Sequence, residues 1–566
     1  MSLRPQTVES IPEDTFRVAH SAFPKGDNPI LALRDHLSQL FSDEDFIGLY
    51  HRLGQPGYSP WRLILVCIFQ FMENLSDRQA AQAVSSRIDW KYALSLPLSD
   101  PGFHFSILSD FRRRLVDGEV QDFALQRVLE FCKREGYIKT NSKQRTDSTH
   151  VLARIRRLNR LTLVGETLRA ALNELAELHP EWLLEMMPRL GENGTSRASP
   201  LEWEQRYVHR IEDSRFGKTE SQLNAQETQV GQDGQRLLDA LQRSGEGAEG
   251  VERLKLESVD ILNQVWQQHF QVVAGGLRFK SGEELAPSNE RITSPYDTEA
   301  TFAKKRNTAW EGYKVHITET CDFDQPHLIT AVATTAATVA DVSMGSLIQD
   351  YLEEQNLKPQ EHLVDGGYIS AEYLLHSENM GIEVLGPPVL TSDWQSQVEG
   401  GLSLEHFHID WDHKYAQCPA GKRSIGWLEA QRAGKPITKV QFSYTDCRDC
   451  PLRTKCTRSK SAGRMLMLKT RESHELLVQA RTKAKEDPTK VRYQLRAGIE
   501  STLSQGVRTL GLRCSRYIGL EKTSLQHTLI ATALNFGRLV SWWDRQRKVK
   551  PPRPRSALGR LFQAVA

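Results

Sequence analysis

The sequence predicts an α/β fold: a mixed sheet with helices, preceded by a helical N-terminal domain and interrupted by a helical insertion and a Cys-rich insertion. Three observations predict it. Residues 1–140 carry apolar side chains at helical spacing. From residue 144 onward, short β-rich segments appear in the order strand, hairpin, helix, strand, strand, helix, as a central mixed sheet requires. Two long stretches, one acidic and helical and one holding four cysteines, break that order.

The N-terminal elements come first. Pro29 to Leu40 places Ile30, Leu33, Leu37 and Leu40 on one helical face. Ser59-Pro60 reads as an N-cap followed by proline at the first helical position, opening a helix through Trp61–Met72. Ser76-Asp77-Arg78-Gln79 caps a further helix through Ala80, Ala81, Val84 and Ile88. Two helices joined by a short turn suit a helix-turn-helix and equally a helical bundle. Phe105–Leu115 starts another helix, whose adjacent Arg112, Arg113 and Arg114 are either phosphate contacts or a solvated face.

Gln144–Leu152 then reads as a strand, and residues 155–285 as helical. Gly312–Thr320 and His327–Thr334 flank a turn and predict a hairpin. Val342–Leu352 is a helix candidate. Glu361–Val364 is a strand ending at Asp365-Gly366-Gly367-Tyr368, and Gly381–Leu385 is another strand. Residues 400–470 read as irregular. Glu472–Arg513 is helical with an interruption at Pro488, and a last helix runs from about Ser524 to Trp543 before a basic tail.

Composition narrows the function classes. The chain has 566 residues, 39% hydrophobic and 25% charged, which excludes a collagen, a disulfide mini-protein and wholesale disorder. The net charge of +2 argues against a uniformly basic polyanion-coating protein, but the average conceals segregation. Residues 161–270 hold 11 Lys and Arg against 19 Asp and Glu; residues 411–566 hold 32 against 11. The C-terminal third thus provides a positive field for a polyanion. The apolar run Leu63–Phe69 is far shorter than the ~20 residues of a spanning helix, and residues 1–20 lack the apolar core of a signal peptide. The expectation is a cytosolic protein with reduced cysteines.

Candidate chemistry lies in carboxylates. Asp147 and Asp365 each sit at or near the end of a short apolar strand, a common way to hold a hard divalent cation such as Mg²⁺. Taken singly, each is more often a turn or capping residue. Tyr493, Arg496 and Glu500 fall at i, i+3 and i+7, on one face of a helix at about 100° per residue. That face suits a phosphate-and-metal site, or an exposed ion-pair stripe. Cys418, Cys447, Cys450 and Cys456 give C-x28-C-x2-C-x5-C among basic residues, which suggests tetrahedral Zn²⁺; packed reduced thiols are the alternative. Cys67, Cys132, Cys321 and Cys514 read as small apolar residues, and His150 and His316 as packed histidines.

Thr146-Asp147-Ser148-Thr149-His150, Val364-Asp365-Gly366-Gly367-Tyr368 and the Tyr-x2-Arg-x3-Glu helix together resemble a DDE transposase of bacterial insertion sequences. The resemblance points to the group with a Tyr-Arg-Glu-Lys signature, in the branch numbered eleven-eighty-two. Gly312–His316, Leu512–Leu520 and Leu534–Arg538 are similar to further stretches of that group, and Phe105–Leu115 to its helical N-terminal module. The signature lysine position is Val507 here, with Arg508 beside it. The resemblance implies an RNase H-like core from residues 141–154, 290–399 and 470–545. Around it lie a DNA-binding domain at 1–140, an acidic insertion at 155–289, a Cys-rich basic insertion at 400–469 and a basic tail at 546–566. It also implies Asp147, Asp365 and Glu500 as ligands of Mg²⁺ or Mn²⁺, and Tyr493, Arg496 and Arg508 as DNA contacts. The implied partners are the element's terminal inverted repeats and target DNA, bound by a dimer in the bacterial cytoplasm at the nucleoid. The implied reaction is end cleavage followed by joining to target DNA, with two metal ions about 3.5–4 Å apart. A catalytically dead DNA-binding derivative and a metal-dependent nuclease without strand transfer are the alternatives.

Overall fold

The computed structural model describes residues 1–24, 27–37, 40–156, 158–186, 200–212, 219–245, 248–273, 276–388, 394–432 and 434–547. The basic tail from residue 548 onward lies outside them. Among the described residues, seven α-helices come first: α1 Glu13–Ala22, α2 Pro29–His36, α3 Pro60–Met72, α4 Asp77–Ser86, α5 Ile88–Ala93, α6 Ser106–Asp117 and α7 Phe123–Arg134. β1 follows at Lys143–Leu152. Next come α8 Arg160–Leu178, α9 Pro180–Met186, α10 Pro200–Tyr207, α11 Glu220–Arg243, α12 Ala248–Leu254 and α13 Glu257–His269, then a hairpin of β2 Phe270–Val273 and β3 Gly276–Phe279. The main sheet resumes with β4 Thr301–Lys305, β5 Thr308–Thr320 and β6 Ile329–Ala336. It continues through α14 Met344–Glu354, β7 Glu361–Val364, α15 Ala371–Asn379 and β8 Glu383–Leu385.

After β8 come β9 His408–Asp410, β10 Tyr415–Gln417, β11 Gly426–Arg432, β12 Lys435–Gln441, α16 Tyr444–Arg448, α17 Arg453–Cys456 and β13 Met465–Leu468. The chain ends in α18 Arg471–Lys485, α19 Asp487–Tyr493, α20 Gly498–Leu510 and α21 Leu520–Arg547.

The central sheet is mixed. β5 pairs antiparallel with β1 and β6, while β7 pairs parallel with β1 and β8, so the strands run β6-β5-β1-β7-β8. Gly312 faces Leu152 of β1 on one side and Thr301 of β4 on the other, which puts β4 along the β6 edge. Among the described residues, three large hydrophobic cores form beside two small clusters. One runs from α3 (Val66, Phe69) through β5 (Val315, Ile317) to α21 (Leu529, Phe536), joining the N-terminal helices to the sheet. A second lies within residues 161–292, around Leu168, Leu262 and Trp266. A third, around Phe442 and Leu466, lies within residues 407–468. No described helix is long and apolar enough to cross a membrane.

Several local expectations change. Residues 400–470 are not irregular: β9 to β13 form a two-stranded and a three-stranded sheet, too short and too polar to show a clear alternation. The β2–β3 hairpin interrupts the stretch read as helical, its four-residue strands too brief for a periodic signal. Ser59 occupies the N-cap position of α3 and Pro60 its first turn, as expected, but the Ser59 side chain makes no cap bond: its hydroxyl donates to Asp43 Oδ1 at 2.7 Å, and the same oxygen accepts from the Trp61 amide at 3.2 Å. Ser76 and Gln79 do form a capping box at α4. Pro488 does not interrupt a helix but sits in the first turn of α19, where its missing N–H costs nothing. The break falls at Glu486, between α18 and α19. Cys514 is exposed, unlike the buried Cys67, Cys132 and Cys321.

The three arginines of α6 are engaged by the protein. Arg112 is buried, pairs with Asp77 at 2.6 Å and lies 5.0 Å from the Tyr517 ring; Arg113 pairs with Asp110 at 3.0 Å. Arg114 donates to the Leu49 carbonyl at 3.3 Å and packs over Tyr50.

One buried network ties the sheet to the C-terminal helices. Glu319 of β5 is fully buried and pairs with Arg145 of β1 and Arg538 of α21, each at 2.7 Å. The Thr502 hydroxyl of α20 donates to Glu319 at 2.7 Å. Arg145 also donates to the Leu495 carbonyl in the turn before α20. A Cβ at Gly498 would collide with the Arg145 guanidinium, so glycine is required there. Removing one member of such a network strands buried charge. Glu319→Gln is expected to cost about 3–5 kcal/mol of stability, read as a lower urea midpoint.

Candidate active site

The site begins with strand register. β1 and β7 are parallel neighbours in which Thr146 faces Val364. The next residue on each is an aspartate, so Asp147 and Asp365 stand level on adjacent strands, which lie ~4.8 Å apart in a sheet. Asp365 leaves the strand directly into a 3-10 turn, Gly366–Tyr368. The third carboxylate comes from a different direction. Tyr493 ends α19, Arg496 lies in a 3-10 turn spanning Gln494–Ala497, and Glu500 occupies the first turn of α20. The three are therefore not on one continuous α-helix, although they still converge. A carboxylate in a helix's first turn is favoured by the helix dipole.

Arg496 is the hub. Its Nη2 donates to Asp147 Oδ2 at 2.8 Å and its Nη1 to Glu500 Oε1 at 3.3 Å. Burial works against the Arg496 charge, but Asp147, Tyr493, Asp365 and Glu500 together hold its pKa above the usual arginine range. The Tyr493 hydroxyl donates to the Val364 carbonyl at 3.3 Å. Burial pushes its pKa up to about 12, against the pull of Arg496 and with the help of Asp365, Asp147 and Glu500. Burial also raises the pKa of Asp147; Arg496 and the Ser148 amide lower it, and Asp365 raises it. Glu500 keeps an exposed side chain, whereas those of Asp147 and Arg496 are mostly covered.

The structure does not bring Arg508 to the carboxylates. α20 continues unbroken past Gly506, and Arg508 donates from Nη2 to Ser504 Oγ at 2.6 Å, one turn back on its exposed face. Val507, at the signature lysine position, packs against the main core.

Sequence reading missed a fourth carboxylate. Asp341 precedes α14 and accepts from Lys314 at 3.0 Å, Lys305 at 3.2 Å and the Ser148 hydroxyl at 3.1 Å. Burial opposes its charge, but Lys314 and Lys305 keep its pKa below the usual range. No periodicity marks it: it follows an Ala- and Thr-rich run, and its partners come from three other elements. His316 is buried and shares a 2.7 Å hydrogen bond with the Tyr368 hydroxyl, and burial drops its pKa to about 4. It is a neutral, packed residue beneath the site. His150 lies tilted against Trp310 with ring centroids 5.4 Å apart.

Cys418, Cys447, Cys450 and Cys456 are all half-buried and line one cavity of about 30 Å³. Burial pushes the Cys456 thiol up to about 11, Arg464 lowers it, and the other three cysteines raise it further. Among the described residues, no group of three or more His, Cys, Asp or Glu side chains is gathered tightly enough to hold a metal ion as it stands. In the carboxylate site, the Arg496 guanidinium occupies the space between two of the acids. The donor sets themselves fit in kind: hard oxygens around one positive charge suit Mg²⁺, and four thiols suit Zn²⁺.

Arg496→Ala removes the strongest influence that lowers the Asp147 pKa, so that pKa rises further. A carboxylate with a raised folded-state pKa contributes stability that is present at low pH and lost as pH rises through that pKa. Relative to the parent, the variant is expected to lose thermal stability progressively as pH rises above the ordinary carboxylate range at about pH 4, with little loss below it. Thermal unfolding on both sides of that range checks it.

Two family models match the chain. Residues 17–114 match one described as Transposase domain (DUF772). Residues 417–540 match one described as Transposase DDE domain. The second match takes in the four cysteines, Tyr493, Arg496 and Glu500, and leaves Asp147 and Asp365 outside it. No curated protein matches the chain. Residues 17–114 are thus similar to one transposase domain and residues 417–540 to a transposase DDE domain.

Proposed function

We propose that the chain is the transposase of an insertion sequence, cutting the ends of its element and joining them to target DNA. A DDE domain implies polynucleotidyl transfer and a divalent metal. The observation that carries the reading further is the convergence of Asp147, Asp365 and Glu500 on the Arg496 guanidinium, from two parallel strands and a helix's first turn. The strand order β6-β5-β1-β7-β8, three strands antiparallel and the last two parallel to β1, supports an RNase H-like core.

In this reading Asp147, Asp365 and Glu500 would hold Mg²⁺ or Mn²⁺, which would supply activation of the nucleophile and charge stabilisation for the phosphoryl group. Arg496 presents a planar fork suited to a phosphate once its carboxylates are engaged elsewhere. Tyr493 holds the end of β7 against the turn that carries Arg496, keeping Asp365 in place. DNA enters as the element's inverted repeats and as target duplex, and bringing two ends together calls for at least a dimer on DNA. The four cysteines would hold a structural Zn²⁺ that ties α16 and α17 to the loop at Cys418. Arg508, exposed on α20, is left a DNA contact away from the metal ligands.

Asp147→Ala, Asp365→Ala and Glu500→Ala are each expected to abolish Mg²⁺-dependent cleavage of end-containing DNA, while binding of the same duplex stays within about twofold; retained cleavage would overturn the assignment. A pre-cut 3′-hydroxyl end supplied with target DNA separates strand transfer from simple nuclease action. Metal analysis of the purified protein is expected to find one zinc per chain, falling to near zero when Cys447 and Cys450 are replaced by serine.

A further inference from the structure

A groove of about 950 Å³ opens beside Asp341, between the β4–β5 hairpin and the connection from β6 to α14. Its walls carry Arg291, Lys304, Lys305 and Lys314, against the single carboxylate of Asp341. Lys304 is exposed and has no ion-pair partner among the described residues, and the Arg291 Nε is buried without a hydrogen-bond partner there. Two aromatic residues, the half-buried Phe302 and the buried Trp310, line the same groove. Lys305 reaches Asp341 at 3.2 Å, and Asp341 accepts from Ser148, the residue after Asp147. The groove therefore shares a wall with the carboxylate site.

Cations that track a backbone, together with aromatic faces, are what a single nucleic-acid strand requires. The volume is that of a pocket for a ligand of ordinary size, enough for a few nucleotides of one strand and too small for a duplex. We propose that this groove holds one DNA strand alongside the catalytic carboxylates, its phosphates on Lys304, Lys305 and Arg291 and a base against Phe302. The proposal rests on the transposase reading for its DNA, but not on the metal chemistry. Because Lys305 also pairs with Asp341, a strand phosphate that draws Lys305 away alters the surroundings of Ser148, and so couples occupancy of the groove to the site.

The test uses the full chain in EDTA, so that nothing is cleaved. Fluorescence anisotropy compares a short single-stranded oligonucleotide with the duplex of the same sequence at about 50 and about 200 mM salt. The single strand is expected to bind the parent protein. Lys304→Glu and Phe302→Ala are each expected to weaken it about tenfold while leaving the duplex within about twofold. Lys304→Ala is expected to flatten the single-strand salt slope by about 0.7. Both positions lie on the hairpin, and unchanged thermal unfolding confirms that each variant is folded. The proposal is overturned if the parent does not bind the single strand, if the variants bind it as the parent does, or if strand and duplex weaken equally. Failure of the parent protein to bind the strand, with its end cleavage intact, defeats the groove alone. Strand binding with no end cleavage defeats the transposase reading alone.

Discussion

A buried glutamate held between two arginines sets the geometry of this protein. Glu319 joins Arg145 on the central strand to Arg538 on the last helix, and accepts from Thr502 on the helix that carries Glu500. Arg145 then reaches the Leu495 carbonyl and fixes the turn from which Arg496 extends to Asp147. Strand β1 and helix α20 lie some 350 residues apart in sequence, and Arg145 locks them together. The closeness of that contact explains why residue 498 is glycine. A buried ion pair is rarely a net gain over apolar packing, so its use here is better read as specifying position than as adding stability.

The carboxylate site follows from that placement and from one register. Asp147 and Asp365 are level because β1 and β7 are parallel and paired at Thr146 and Val364. Three acids gathered without a cation would repel one another. Arg496 supplies the positive charge, and its raised pKa reflects what it gains from them. Asp341 repeats the pattern next door, neutralised by two lysines.

Much of this was legible in the sequence where a signal is continuous. Glu361–Val364 reads as a short strand that ends at the turn-forming Asp-Gly-Gly, and it is observed with those bounds. The capping box at Ser76 and the proline at the start of α3 are local chemistry, visible without tertiary context. Other features depend on distant partners. Asp341 has no local mark and is defined by Lys305, Lys314 and Ser148. The three arginines of α6 look alike in sequence, yet Arg112 is buried against Asp77 while Arg113 is on the surface. Arg508 sits on a suitable wheel position, but its own helix offers it Ser504. The near-neutral charge is likewise a property of the sum: the acidic residues of 161–270 belong to a unit with its own core, set apart from the basic C-terminal third.

The most direct test of the shared site is iron-mediated backbone cleavage. Fe²⁺ with ascorbate and peroxide generates hydroxyl radicals that cut the chain next to the bound ion, and Mg²⁺ competes for the same ligands. Cuts are expected in three separate segments, near Asp147, near Asp365 and near Glu500, all suppressed together by Mg²⁺. Cuts confined to one of these segments, or falling elsewhere in the chain, would contradict it.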